Sequence, residues 1–287
     1  MKCVKRSGVL SLVLFSAVAV CAGDTWDKAR SVAEQASASA VRVRVVSKMK
    51  MSIRGQNQER EQKNEINGTV IDPSGLTIVS ATALNPASLI SAMMRGRGME
   101  IDMTVKETTM IMADGAEVPA EVVLKDTELD MAFIRPKENG KAFQAATLKP
   151  AESKAKVLDD VFVVGRMGKN ANRAHYVNTG KVRAYVKGPR PYYICSNEVA
   201  GSGGCLVYTA DGDPLGVVLN KKSVDDGAGG GGLQIRMGGG RGTLSIVRPV
   251  EDVIDAAKQA LEVKKDETGK TDETAKTDET AKTEETK

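Results

Sequence analysis

Histidine is almost missing from this chain: His175 is the single one among 287 residues. A histidine-built metal centre is therefore excluded, and only one imidazole is available as a general base. No Cys, Asp or Glu spacing of the zinc or calcium type occurs either, so neither a metal nor a cofactor is expected. Aromatics make up 3% of the residues against 41% apolar overall, so a core is available but rests on aliphatic side chains. No apolar run is long enough to span a bilayer; the longest, residues 8–20, falls short. The Gly-rich stretch "DDGAGGGGLQIRMGGGRG" lacks the Lys-Ser/Thr ending of a phosphate loop, which argues against nucleotide binding.

What is present begins with a leader. Lys2, Lys5 and Arg6 precede the apolar run, and small residues follow at "VCAG", the pattern of a secretory signal peptide over residues 1–22 with cleavage after Ala22. Cys21 raises a lipoprotein alternative, but Val20 is bulky where a lipid-modification site wants a small residue. Losing the three basic residues takes the formal net charge from +4 to +1. A near-neutral protein offers no electrostatic case for nucleic acid or a membrane surface. Localisation is therefore expected to be periplasmic or secreted. Cys195 and Cys205 remain after cleavage, and in an oxidising compartment they can bridge around Ser202 or stay as buried thiols.

Residues 24–40 read as a helix, with Asp24 as N-cap. In "VRVRVVSKMKMSI", Val41, Val43, Val45, Met49, Met51 and Ile53 all fall on odd positions, which predicts a half-buried strand. "RGQNQEREQKNE" is too polar to pack and is expected to be a loop. Short strands separated by turn residues follow: "INGTVID", "LTIVSATAL", "TMIM", "AEVPAEVVL", "DMAFIRP", "DVFVVG", "GKVRAYV", "YYICS", "GCLVY" and "PLGVVL". That spacing predicts an all-β sandwich or barrel. Pro249 opens a last helix with Val250, Val253, Ile254, Ala257 and Leu261 on one face. The folded domain is read as residues 41–263, and the six-residue "DETAKT" repeat over 264–287 as a disordered tail.

The order of six pieces carries a resemblance: "GTVIDPSGLTIVSATAL", "DGAEVPAEVVLKDTELDMAFIRP", "VFVVGRMG", "TGKVRAYV", "AGSGGCLVYTADGDPLGVVL" and a closing strand and helix. Together they resemble a trypsin-like serine protease domain of the bacterial HtrA (DegP-like) type. The resemblance implies two six-stranded β-barrels with an active site in the cleft between them, flanked here by an N-terminal and a C-terminal helix. It places Ser202 of "AGSGGC" as nucleophile and Asp130 of "LDMAF" as the aspartate that orients the catalytic histidine. The histidine slot, counted from Gly75, holds Thr82. The oxyanion donors would be the backbone N–H groups of Ala200 and Ser202, with Ala200 standing where the family has glycine. The resemblance also implies polypeptide substrates or partners in the cleft and leaves homo-oligomers open. The PDZ module common in that type is not expected, since the repeat tail follows the closing helix.

A serine hydroxyl attacks only when a base removes its proton, and threonine is no base at neutral pH. His175 comes between Asp130 and Ser202 in sequence, an order that another protease fold uses. Its flanks, however, are those of a strand leading into "TGKV", so a surface or strand-end position is expected. The reading is an exported pseudopeptidase that binds polypeptide; the alternative is an active serine endopeptidase with an unconventional base. Six methionines, Met93, Met94, Met99, Met103, Met110 and Met112, suggest either a Cu(I) site or strand and loop packing, and packing is favoured because no Cys or His accompanies them.

Overall fold

The computed structural model describes residues 26–53, 56–93, 99–138, 142–150, 154–222 and 243–263. The leader, Asp24, Met94, the Gly-rich stretch and the repeat tail lie outside these residues, so the expectations attached to them are not tested. Helix α1 (Asp27–Ser37) opens the described chain and buries Ala29, Ala33 and Ala36. Strands β1 (Ala40–Ile53), β2 (Gln56–Val70) and β3 (Thr77–Ser80) follow, then short helices α2 (Ala81–Leu84) and α3 (Ala87–Met93). Strands β4 (Met99–Ile111), β5 (Glu117–Asp126) and β6 (Met131–Pro136) complete a first closed antiparallel barrel in the order β1-β2-β3-β6-β5-β4.

The second barrel uses β7 (Asp160–Arg166), β8 (His175–Val186), β9 (Tyr192–Cys195), β10 (Leu206–Thr209), β11 (Pro214–Lys222) and β12 (Thr243–Pro249). It closes in the order β10-β11-β12-β9-β8-β7, with a four-residue helical turn, α4 (Asn197–Ala200), between β9 and β10. Helix α5 (Val250–Glu262) ends the fold. This is the double barrel of a trypsin-like domain, with a helix at each end of the described chain.

The polar stretch expected as a loop is the strand β2. It pairs with β1 in unbroken register from Ala40↔Thr69 to Ile53↔Gln56. Alternation could not reveal it because neither face of its outer part is apolar; cross-strand charges fill the role, such as Lys48–Glu59 at 2.6 Å. The stripe of α5 also shifts: Val250, Val253, Ala257 and Ala260 are buried, whereas Leu261 is 49% exposed.

Each barrel has an aliphatic interior, Val41, Val43, Val79, Ala132 and Ile134 in the first, Val161, Val163, Val182, Val207 and Val218 in the second. A third cluster lies between them. Ile78, Met131 and Phe133 meet Phe162, Leu206, Val217 and Leu219 there, clamped by α1 and α5. Several aromatics meet at this seam: Trp26 packs edge-on to Phe162 at 6.3 Å, and Phe162 stacks on Tyr208 at 5.3 Å. Arg166 ties α1 to the second barrel by donating to the carbonyls of Ser37, Ala40 (2.7 Å) and Arg173 (2.8 Å). Burial lowers its pKa, but the guanidinium stays charged, and the carbonyls at the C-terminus of α1 favour that charge.

Candidate active site

Three backbone turns bring the site together. Strand β5 ends at Asp126, whose carboxylate caps the N–H groups of Glu128 and Leu129, both at 2.9 Å. The turn delivers Asp130 in the left-handed region, φ 60°, a conformation that Asp tolerates better than most residues. Strand β3 runs into α2, where Ser80 acts as N-cap and accepts from Ala83 N–H at 3.1 Å. Thr82 is therefore in the first turn of a helix whose N-terminus points at Asp130.

Asp130 is 2% exposed, and its carboxylate accepts three hydrogen bonds. Ser80 Oγ donates to Oδ2 at 2.7 Å, Thr82 N–H to Oδ1 at 2.6 Å, and Asn220 N–H to Oδ2 at 2.6 Å. Its own carbonyl accepts from Ala81 N–H at 3.0 Å. Sequence reasoning brought Asp130 and Thr82 to one place, and the structure does so, but through the threonine's backbone. Ser80 and Asn220 were missed. A backbone donor leaves no signature in the sequence, and Ser80 reads as one more residue of an apolar strand.

Ser202 follows α4 and is 1% exposed. Its Oγ accepts from the Tyr176 hydroxyl at 3.3 Å. Tyr176 in turn accepts from Asn67 Nδ2 at 3.2 Å, and Asn67 Oδ1 accepts from Arg42 Nη1 at 2.7 Å. Every donor in this chain points towards Ser202. A nucleophilic serine also needs an acceptor for its own proton, and this network holds no carboxylate, imidazole or amine to take it. Nor can Tyr176 supply that acceptor as a phenolate, since burial, helped by the neighbouring Cys205, pushes its pKa up to about 12.

The oxyanion donors are committed too. Ala200 N–H donates to Ser196 O at 3.0 Å, and Ser202 N–H to Val199 O at 3.1 Å. Both bonds belong to the helical turn around α4. An oxyanion hole requires N–H groups aimed at the developing charge, and these two are aimed at carbonyls of their own turn. The rest of the glycine motif joins the barrels: Gly204 has φ 85°, and its carbonyl accepts from Thr69 Oγ1 at 3.0 Å.

A family model for the trypsin-like peptidase domain matches residues 67–217, more than half of the chain. The chain belongs to the trypsin-like peptidase family. No curated protein sequence matches it. Among solved structures it is similar to an HtrA-type protease, AlgW, a Ser→Ala variant with a decapeptide, with a TM-score of 0.54 at 14% identity. That match covers 81% of this chain and 66% of the other, so the chain spans just under two thirds of its neighbour's length. At that identity the likeness is one of fold.

Within this trypsin-like frame the remaining expectations can be placed. Cys195 and Cys205 are not bridged; both are free thiols in the interior of the second barrel. Burial pushes each of them up to about 12, so both are neutral, and Cys205 lies 4.0 Å from the Tyr176 hydroxyl. Their site is a valine-lined core position for each side chain, which a small neutral thiol fills well. His175 begins β8, exposed, on the opposite strand face from its neighbour Tyr176. Met110 and Met103 are buried strand residues. Among the described residues no group of His, Cys, Asp and Glu could hold a metal, and no helix is long and apolar enough to cross a membrane.

Proposed function

We propose that this trypsin-like protein is an exported pseudopeptidase that works by holding polypeptide in the cleft between its barrels. The observation that carries the proposal is the engagement of Ser202: it is buried, it accepts from Tyr176, and its N–H is spent on Val199. Thr82, in the slot where the resemblance requires histidine, supports the same reading, and its N–H rather than its side chain reaches Asp130. Losing a catalytic base alone removes several orders of magnitude of rate, and here the acceptor and both oxyanion donors are otherwise occupied. Binding of polypeptide is supported by the fold neighbour solved with a decapeptide, and export by the leader pattern of residues 1–22.

A fluorophosphonate that labels activated serines tests the catalytic part. The mature protein is expected to remain unlabelled under conditions that label trypsin fully. Stoichiometric labelling abolished by Ser202→Ala would overturn the proposal. Binding is tested with fluorescently labelled casein, an unfolded chain, whose anisotropy is expected to rise saturably without cleavage on a gel.

A further inference from the structure

A hollow of about 190 Å³ opens beside the histidine slot, lined by Ala81, Thr82, Asn85, Ala87, Ser88, Lys125 and Thr127. Its lining includes three hydroxyl residues, Thr82, Ser88 and Thr127, and one lysine, Lys125. The Asn85 amide contributes little, because its Nδ2 donates to Met103 O and its Oδ1 accepts from Ala87 N–H.

Lys125 is exposed and has no carboxylate partner among the described residues. The three nearby acids are all engaged elsewhere. Asp126 caps its own turn, Glu128 pairs with Arg190 at 3.3 Å, and Asp130 is buried and accepts three hydrogen bonds. The lining thus combines hydroxyl residues and two alanines with a lysine that has no carboxylate partner among the described residues. A single ammonium with hydroxyls suits a monoanion on a short aliphatic stem, and a charge-assisted bond is what such a set does best. We propose that this hollow is a carboxylate subsite of the cleft, seating either an Asp or Glu side chain or a free C-terminus of the bound polypeptide. The inference rests on the polypeptide-binding reading above and names the chemistry recognised.

Three small probes of equal size separate the sources. N-acetylglutamic acid α-amide carries only a side-chain carboxylate, N-acetylglutamine only a C-terminal one, and N-acetylglutamine amide neither. Each is titrated into the full protein while the backbone amide resonances of Thr82, Ser88 and Thr127 are followed by NMR. At least one acid is expected to bind about two- to fivefold more tightly than the diamide, the scale of one exposed ion pair. Lys125→Gln should erase that preference, and Lys125→Arg should keep it. Equal binding of all three probes, no saturable shift with any, or an unchanged preference in Lys125→Gln overturns the subsite. The two proposals fail separately. A protein that captures casein but ignores the probes loses the subsite alone, and one that binds the acids without capturing casein loses the polypeptide reading.

Discussion

Replacing Asp130 should cost stability, because its carboxylate is a structural junction. Asp130→Ala leaves the Ser80 hydroxyl, the Thr82 N–H and the Asn220 N–H without an acceptor at a position 2% exposed. A hydrogen bond to a charged group is worth about 1.5–3 kcal/mol, and an abandoned buried donor loses most of that. Three such bonds sum to roughly 5–9 kcal/mol, and relaxation with water entry brings the expectation to about 4–6 kcal/mol. In a domain of this size each kcal/mol moves Tm by about 2–4 °C, so the loss is on the order of 10–20 °C. Asn220 belongs to the second barrel and Ser80 and Thr82 to the first, so the denaturation should also become less cooperative. Asp130→Asn keeps the shape but turns an amide donor towards existing donors, and about half the loss is expected. Urea titration followed by circular dichroism measures both. An Asp130→Ala loss below about 1 kcal/mol would refute the junction, since even one unsatisfied buried donor costs more.

The glycines of the nucleophile motif should differ sharply. A Cβ on Gly204, at φ 85°, would lie 2.5 Å from Asn67 O, so Gly204→Ala is expected to cost about 3 kcal/mol in the same titration. A Cβ on Gly203 meets nothing within 4 Å, and Gly203→Ala should stay within about 0.5 kcal/mol. Both core thiols should ignore Ellman's reagent at pH 8 in the native protein and react on unfolding without reductant; failure to release them would mean a disulfide. Because Cys195, Cys205 and Tyr176 all have pKa values raised to about 12, the folded state holds more protons than the unfolded one above pH 9. Stability should therefore fall as pH rises from about 9 to 12, and a flat urea midpoint across that window would contradict the burial of these groups. Thr82→His should restore no fluorophosphonate labelling, because Ser202 would remain buried and both oxyanion N–H groups internally bonded; recovery of labelling would show that the base was the sole deficit.

The barrels were legible wherever one strand face is apolar. Val41, Val43 and Val45 gave β1 by alternation, and "DVFVVG" gave β7 by its continuous apolar run. Strand β2 was not legible, since its register is carried by backbone bonds and by pairs such as Lys48–Glu59, which a hydrophobic pattern does not record. The same limit governs the site. Asp130, Thr82 and Ser202 could be located because side chains mark them, whereas what occupies them is mostly main chain: Thr82 N–H, Asn220 N–H, Ser196 O and Val199 O. Tyr176 could have been suspected only from its inward phase on β8, next to the exposed His175.

The residues in the catalytic positions tie the two barrels together. Asp130 links β3 and α2 to β11; the network from Arg42 through Asn67 and Tyr176 to Ser202 links β1 and β2 to β8. In an active site a carboxylate reserves an acceptor for histidine, and a serine reserves its proton for a base. Here the Asp130 carboxylate accepts from donors of both barrels, and Ser202 Oγ accepts from Tyr176. The seam between the barrels is thereby fixed by buried hydrogen bonds as well as by its apolar cluster.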